Sequence, residues 1–241
     1  MIEKKEFFKN NGYVLENFKD DVDCVDELTK YADIEMMLPD VEPVWKFTGK
    51  ESSTFGPYRD LCLFYSKEVF DVLMNRHGEE IINKIHPPEG PKPGCMYPNI
   101  KNLNVKIQYK FQKLLGIKLK LSEIKLRAYF MGSGIGLHKD KSPWDYSCSL
   151  NVYTKYFGSF MRQIPSSLNF IDYNGKKIKL QQNIGDAILY DGLKLEHWRE
   201  PMNTNNRKDV QFQLLFAYTT DTKDTTIKRI KPKIYNRTRN D

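Results

Sequence analysis

Apolar residues follow a helical period in the first half of the 241-residue chain and a strand-like alternation in the second half. Helical spacing predicts helices over 20–33, 66–85 and 102–116, and a short helix that stops at Asn11-Gly12 and leads into a strand. After residue 118, short β-branched and aromatic segments are separated by turn pairs such as Asn174-Gly175. These predicted strands cover 120–130, 146–154, 167–173, 176–182, 186–192 and 210–220.

Helices followed by many short strands are typical of an α+β chain in which the helices back a sandwich or barrel. We expect a single domain over 1–241, since the proline-rich loop at 86–99 is only a weak candidate boundary. Within it, residues 1–118 would be mainly helical support, 119–220 the strand-rich core and 221–241 a basic tail.

The last predicted strand, 210–220, has one polar face and one apolar face. Gln211 and Gln213 share one face, and we expect that face to line the interior of the barrel. If the strand continues regularly upstream, Arg207 shares their parity and Lys208 does not. The opposite face, which we expect to meet the helices, carries Phe212, Leu214, Phe216 and Tyr218.

The net charge is +7, and eight basic residues stand against one acidic residue between Lys101 and Arg127. Such an excess is typical of a solvated basic surface, or of attraction to an anionic substrate or nucleic acid. The four cysteines have neither zinc-site spacing nor the density of a disulfide scaffold, so we interpret them as free thiols. No segment resembles a signal peptide or a membrane span, and we expect a soluble cytoplasmic protein.

Two of the four histidines lie beside predicted strands in the second half, and one of them is followed by a carboxylate. His138 and Asp140 are two positions apart, so on a strand both side chains point to the same side. With His197 as a distant third ligand, they would form the two-histidine, one-carboxylate set of non-haem Fe(II) oxygenases. The same set could bind catalytic zinc. His77 and His86 have no carboxylate at a useful offset, and we expect surface or capping roles for them.

The flanking residues resemble those of the iron(II)/2-oxoglutarate-dependent oxygenases, particularly the prolyl-4-hydroxylase-like branch. Tyr129 precedes His138 by nine residues, with Gly132 between them; "GDAILYDG" precedes His197, and Arg207 follows it by ten residues. The resemblance covers about residues 120–220. It implies a double-stranded β-helix, the cupin-like jelly roll, with helices on its outer face.

The same resemblance implies a chemistry and roles for individual residues. His138, Asp140 and His197 would bind Fe(II), and the cosubstrates would be 2-oxoglutarate and O2, with ascorbate as a supporting reductant. Tyr129 would contact 2-oxoglutarate. Because halogenating members of the family replace the metal-binding carboxylate with a small residue, Asp140 favours hydroxylation, with release of succinate and CO2.

The substrate is the least determined part of this interpretation. We expect a polar one, such as a free amino acid, another small molecule or a peptidyl side chain, and expect Trp144, Trp198 and Arg199 to contact it. The bulky segment "WREPMNT" replaces the small residues of prolyl hydroxylases, which argues against a prolyl peptide. A nucleic-acid base oxygenase or demethylase, a zinc hydrolase and a non-catalytic jelly-roll metal-binding protein are the alternatives. No oligomeric state follows from the sequence.

Arg207 is predicted to bind the far carboxylate of 2-oxoglutarate, with Lys208, Arg199 and Arg127 as alternatives. A guanidinium binds a carboxylate through two hydrogen bonds, so Arg207→Ala should raise the apparent KM for 2-oxoglutarate by roughly ten- to hundredfold. Steady-state kinetics with varied 2-oxoglutarate measures this change. An unchanged KM, with the loss appearing in Arg199→Ala or Lys208→Ala, would move the role to that residue.

Overall fold

Two antiparallel sheets and two helices make up the fold within the residues that the structure describes. This computed structural model describes residues 2–20, 54–55, 58–66, 98–141, 144–155, 167–204, 206 and 209–220. The helices are α1 (Ile2–Asn11) and α2 (Pro98–Leu115). The strands are β1 (Tyr13–Asn17), β2 (Thr54–Phe55), β3 (Tyr58–Tyr65), β4 (Leu119–Phe130), β5 (Gly134–His138), β6 (Tyr146–Lys155), β7 (Leu168–Ile171), β8 (Lys177–Leu180), β9 (Asp186–Asp191), β10 (Glu196–Arg199) and β11 (Val210–Thr220).

The strands alternate between the two sheets along the chain. One sheet has six strands in the order β1-β9-β6-β11-β4-β3, and the other has five in the order β2-β5-β10-β7-β8. From β4 to β11 the chain crosses from one sheet to the other at every connection except the β7–β8 hairpin. This winding is the double-stranded β-helix, and it confirms the predicted fold class.

The main hydrophobic core lies between α2 and the outer face of the six-stranded sheet. Ile107 and Phe111 of α2 are completely buried there, in one cluster with the apolar face of β11. The rings of Phe111 and Tyr218 pack edge to face at 6.0 Å, and the Tyr218 hydroxyl donates a hydrogen bond of 2.9 Å to Asn104 of α2. The predicted parity of β11 is therefore confirmed: its apolar face meets a helix, and its glutamines face the barrel interior.

Both helices end at a glycine in the left-handed conformation. Gly12 has φ 78° and its N–H donates to the Phe8 carbonyl at 2.7 Å; Gly116 has φ 73° and donates to Gln112 at 2.8 Å. A residue without Cβ adopts this conformation at no steric cost, which explains why both predicted helix ends were correct. Helix α2 begins at Pro98, four residues before its predicted start, because proline suits the first turn of a helix.

Four strands of the structure were not predicted. Strands β2 and β3 lie in a segment for which no strand was predicted, and β5 and β10 are short and include glycine or charged residues. Short strands of this kind are stabilised by backbone pairing with neighbours, which leaves little hydrophobic pattern in the sequence. The predicted helices over 20–33 and 66–85 lie almost wholly outside the described residues, and the basic tail lies outside them entirely.

The position of Phe111 generates a stability prediction with a matched control on the same helix. Phe111→Ala should lower the free energy of unfolding by about 3–5 kcal/mol, because it empties a fully buried aromatic position. Tyr109 lies on the outer face and is 55% exposed, so Tyr109→Ala should change stability by less than about 0.5 kcal/mol. Urea unfolding of both variants measures the difference, and equal effects would contradict the described core.

Candidate metal centre

The three predicted ligands come together at one end of the strand pair β5 and β10. His197 of β10 lies directly opposite His138, the last residue of β5, and their ring centroids are 4.2 Å apart. Residues opposite each other in an antiparallel pair direct their side chains to the same face. Asp140 follows β5 by two residues, and one ligand atom from each of the three residues lies within 4.8 Å of the others.

One carboxylate oxygen faces both imidazoles. Asp140 Oδ1 lies 3.7 Å from Nε2 of His138 and 3.6 Å from Nε2 of His197. The other ring nitrogens face backbone carbonyls, with His138 Nδ1 at 2.8 Å from Gly136 O and His197 Nδ1 at 3.1 Å from Leu195 O. A carbonyl only accepts, so each Nδ1 donates to its carbonyl and each Nε2 is the nitrogen that faces Asp140.

Burial keeps His138 in the form that binds metals. Removal from water lowers the pKa of His138, and the neighbouring His197 lowers it further. The Gly136 carbonyl and Asp140 act in the opposite direction but do not reverse the shift. The His138 ring is therefore neutral at neutral pH, and no proton competes for its Nε2.

Asp140 is held in position by contacts with two other elements. Ser147 of β6 donates a hydrogen bond of 2.7 Å to Asp140 Oδ2, and the Asp140 N–H donates to the Gly192 carbonyl at 2.9 Å. A Cβ at residue 192 would collide with the Asp140 carboxylate, so only glycine fits there without a shift. Because Ser147 occupies Oδ2, the other oxygen is directed at the histidines.

Aromatic side chains enclose His197 on the inside of the barrel. The ring centroid of Tyr190 lies 4.8 Å from that of His197, and the centroid of Phe170 lies 6.1 Å from it. Burial raises the pKa of Tyr190 well above its ordinary value, and the nearby Asp140 raises it further. Tyr190 therefore remains a neutral phenol, and His197, only 2% exposed, is shielded from bulk water.

A second polar cluster lies beside the three ligands, on the inner faces of the strands. Arg199 follows His197 by two residues on β10 and is 1% exposed. Its Nη2 donates hydrogen bonds to Ser149 Oγ at 3.2 Å and to Gln182 Oε1 at 3.0 Å. The guanidinium carbon lies 5.3 Å from the ring centroid of Tyr129. A cation is thus fixed inside the barrel on the strand that carries a predicted metal ligand.

Two further groups of this cluster have unused hydrogen-bonding capacity. Gln213 accepts a hydrogen bond of 3.0 Å from Ser149 Oγ, but its buried Nε2 donates to no residue that the structure describes. The Tyr129 hydroxyl is also buried and makes no hydrogen bond of ordinary geometry to a described residue. It lies close enough to Arg199 to raise the pKa of that guanidinium, against the lowering by burial. Buried polar groups in proteins are nearly always hydrogen-bonded, so both point to a polar occupant.

The other predicted site residues lie in varied places. Trp198 is half-buried and lies on the face of β10 opposite to His197 and Arg199. Trp144 is half-buried, and its ring lies 5.5 Å from Lys125 Nζ. The guanidinium carbon of Arg127 lies 6.0 Å from the Tyr129 ring centroid. Residues 207 and 208 lie outside the described residues, so their roles stay predictions.

Sequence reasoning missed Ser147, Ser149, Gln182 and Gly192. For the two serines a signal was present, since Ser147, Ser149 and Asn151 alternate with apolar residues along β6. Small polar side chains at every second position of a buried strand indicate a polar interior. The predicted strands 176–182 and 186–192 included Gln182 and Gly192, but the structure places both residues just beyond the ends of β8 and β9.

Comparison with known proteins finds similarity of fold. A Pseudomonas putida prolyl-4-hydroxylase superposes with a TM-score of 0.57 at 11% identity, covering 91% of this chain and 98% of that one. A Trichoplax adhaerens prolyl hydroxylase in complex with a hypoxia inducible factor peptide gives 0.54 at 11% identity, covering 91% of both chains. HygX from Streptomyces hygroscopicus, with nickel and 2-oxoglutarate bound, gives 0.54 at 10% identity, covering 92% and 87%.

At this level of identity the matches establish the fold, which is that of 2-oxoglutarate-Fe(II) oxygenases. No protein-family model matches the sequence, and no curated protein is similar to it at a significant level. Neither of the described helices is long and apolar enough to cross a membrane.

The hydrogen bond from Ser147 to Asp140 predicts that Ser147 is important for metal affinity. Ser147→Ala should weaken binding of Mn(II) or Fe(II) by roughly 10–100-fold, because Asp140 loses the donor that orients it. Anaerobic calorimetric titration with the metal measures the change. Ser167→Ala is a matched control, since Ser167 is equally buried but its hydroxyl contacts Asn169. Equal affinities of the Ser147 variant and the wild type would show that Asp140 does not need this donor.

Proposed function

We propose that the protein is an Fe(II)- and 2-oxoglutarate-dependent dioxygenase that hydroxylates a polar substrate. The observation that carries the proposal is the convergence of His138, Asp140 and His197, within 4.8 Å, inside a double-stranded β-helix. Two imidazoles and one carboxylate on one side of a metal are the ligand set of non-haem Fe(II) oxygenases. The similarity in fold to HygX, which was crystallised with nickel and 2-oxoglutarate, supports this assignment.

The donor atoms fit a resident Fe(II) ion. His138 and His197 would hold it through Nε2, because both Nδ1 atoms are engaged with carbonyls. Asp140 would bind through Oδ1, because Oδ2 accepts from Ser147. When bound, iron and 2-oxoglutarate supply the activation of O2, and the overall reaction converts R–H, 2-oxoglutarate and O2 into R–OH, succinate and CO2.

The residues around the ligands would exclude water and fix the charges. Tyr190 and Phe170 pack beside the His197 ring and shield it. Ser147 and the Gly192 carbonyl hold Asp140 against rotation. Catalytic zinc takes a similar ligand set, but a cation and unsatisfied donors inside the barrel favour a reaction that needs an anionic cosubstrate.

The proposed substrate is polar, and it is a free amino acid, another small molecule or a peptidyl side chain. The fold neighbour from Trichoplax adhaerens is in complex with a hypoxia inducible factor peptide fragment, which is consistent with the last of these. Trp144 and Trp198 as substrate contacts stay predictions. The half-buried outward position of Trp198 would require the substrate, or a segment outside the described residues, to reach that face of β10.

A nucleic-acid base oxygenase is the second candidate, because the net charge is +7. The position of much of that charge argues against it. Lys101, Lys106 and Lys113 are exposed on α2, which packs on the outer face of the six-stranded sheet and not on the barrel interior. A steep salt dependence of DNA or RNA binding would favour this candidate.

The proposed activity predicts that the three ligands act as a unit. His138→Ala, Asp140→Ala and His197→Ala should each abolish succinate formation while the circular dichroism spectrum stays near that of the wild type, because the main core lies on the other side of the sheet. Lys139→Ala is the matched control, since Lys139 lies between two ligands but is exposed. The measurement is succinate released from 2-oxoglutarate under air, with and without Fe(II).

Several outcomes would contradict the proposal. Normal succinate formation by His197→Ala would show that the metal site is wrong. Absence of 2-oxoglutarate turnover with Fe(II), together with ester or amide hydrolysis with Zn(II), would favour a zinc hydrolase. Binding of metal without either activity, across a broad substrate screen, would favour a non-catalytic binding protein.

A further inference from the structure

A buried carboxylate that is not one of the three predicted ligands lies at the end of β9. Asp191 is 3% exposed, and both of its carboxylate oxygens have partners. Its Oδ1 accepts from the N–H of Lys194 at 3.1 Å. Its Oδ2 accepts a hydrogen bond of 2.7 Å from the Tyr173 hydroxyl and lies 3.2 Å from Lys194 Nζ. Hydrogen bonds to both oxygens hold the carboxylate in one orientation, and loss of a donor would leave a buried acceptor unsatisfied.

Asp191 closes the turn 191–195, which follows β9, with both its side chain and its main chain. The bond from the Lys194 N–H to Asp191 Oδ1 closes the turn through the side chain. The Leu195 N–H donates to the Asp191 carbonyl at 3.0 Å and closes it through the main chain. An aspartate that accepts from a backbone N–H a few residues later stabilises a turn in this way. The conformation of the turn therefore depends on the Asp191 carboxylate.

Two backbone carbonyls of this turn contact predicted metal ligands. The Gly192 carbonyl accepts from the N–H of Asp140 at 2.9 Å. The Leu195 carbonyl lies 3.1 Å from Nδ1 of His197. A change in the conformation of the turn would therefore move the partners of one carboxylate ligand and one imidazole ligand together. Groups that orient the ligands of a metal in this way affect its affinity strongly, although they do not touch the metal.

Tyr173, in the connection between β7 and β8, fixes Asp191 from a different part of the fold. Its ring packs on Gly12, where a Cβ would lie 2.8 Å from two ring carbons. The Gly12 carbonyl in turn accepts from the Asp191 N–H at 2.9 Å. Burial raises the pKa of Tyr173, and the hydrogen bond to Asp191 raises it further. Tyr173 therefore remains a phenol that donates to Asp191, and its ring is held by the turn between α1 and β1.

We propose that Asp191 is a positioning residue for the metal centre and that Tyr173 holds it in that role. The inference rests on the proposed function, because it requires a metal bound by Asp140 and His197. Asp191 acts through the carbonyls of the turn 191–195, which orient these two ligands. An aspartate that only stabilised the fold would contribute equally with and without metal, whereas a positioning residue also changes the affinity and the geometry of the metal site.

Asp186 is a matched control at the opposite end of the same strand. It is 8% exposed, and its Oδ2 accepts from the N–H of Asn183 at 2.9 Å. Its Oδ1 accepts from Nδ2 of Asn17 at 2.8 Å. Asp186 is therefore also a buried aspartate that closes a turn through a backbone N–H. Among the described residues, the partners of its carboxylate are not in contact with a predicted metal ligand.

The test separates metal binding from stability with three measurements on the full chain. Anaerobic calorimetry gives the Kd of Mn(II), visible absorption at saturating Co(II) reports the geometry of the site, and urea unfolding of metal-free protein reports stability. Asp191→Ala should weaken Mn(II) binding by roughly tenfold or more and change the Co(II) bands, because two ligands lose their orientation. Asp186→Ala should also destabilise the metal-free protein but retain the wild-type Kd and Co(II) spectrum.

Two milder variants keep the assignment testable if Asp191→Ala does not fold. Tyr173→Phe removes one donor to the carboxylate, and Asp191→Asn keeps one acceptor for the turn, so each should weaken Mn(II) binding severalfold. Weaker binding with altered Co(II) bands in either variant supports the assignment, and wild-type values in both overturn it. Where Asp191→Ala does fold, a wild-type Kd and Co(II) spectrum, or losses equal to those of Asp186→Ala, would also overturn it.

The wild type distinguishes failure of the assignment from failure of the proposed function. If it binds neither Mn(II) nor Co(II), the metal centre of the proposed function is wrong, and the role of Asp191 is rejected with it. If it binds both metals and the Asp191 and Tyr173 variants bind them equally well, the proposed function stands and only the positioning role is rejected.

Discussion

Antiparallel pairing of β5 with β10 is the constraint on which the site depends. It places His197 opposite His138, although the two residues are 59 positions apart in the sequence. The register then shifts by one residue, so that Arg199 lies opposite Ile135. A bulge of this kind redirects side chains near functional sites, and here it includes Gly136, whose carbonyl orients the His138 ring. This one strand pair therefore fixes the positions of both imidazoles, the tautomer of His138 and the position of the buried Arg199 side chain.

The six-stranded sheet completes the site because its two faces have different partners. On β11, aromatic and aliphatic residues pack against α2, while Gln211 and Gln213 face inward. On β6, Ser147 and Ser149 face inward and connect separately to Asp140 and Arg199. The larger apolar cluster packs on the outer face, and a smaller one that includes Phe170, Ile188 and Tyr190 lies inside the barrel. The rest of the inner face carries polar groups on β6 and β11.

Much of this organisation could be predicted from the sequence, and the limits have physical causes. Alternation predicted six of the eight described strands after residue 118, and the His138-x-Asp140 spacing identified two of the three converging residues. The parity of Arg199 and Trp198 was not predicted, because 196–199 was not recognised as a strand. This four-residue segment is too short to show a clear alternation of polar and apolar residues. Its pairing with β5 and β7 determines that it forms a strand. Gln182 reaches Arg199 from just beyond the end of β8, although the predicted strand 176–182 had included it.

The contact between Gly192 and Asp140 links two positions that are far apart in the sequence. The carboxylate fills the space that a Cβ at residue 192 would need, so a side chain there must either displace the carboxylate or follow its loss. The order of evolutionary steps is therefore constrained: a lineage that loses the carboxylate first can gain a side chain at 192 without that collision. After a second substitution of that kind, restoring aspartate at 140 would produce a steric clash, and the change of metal chemistry would be difficult to reverse.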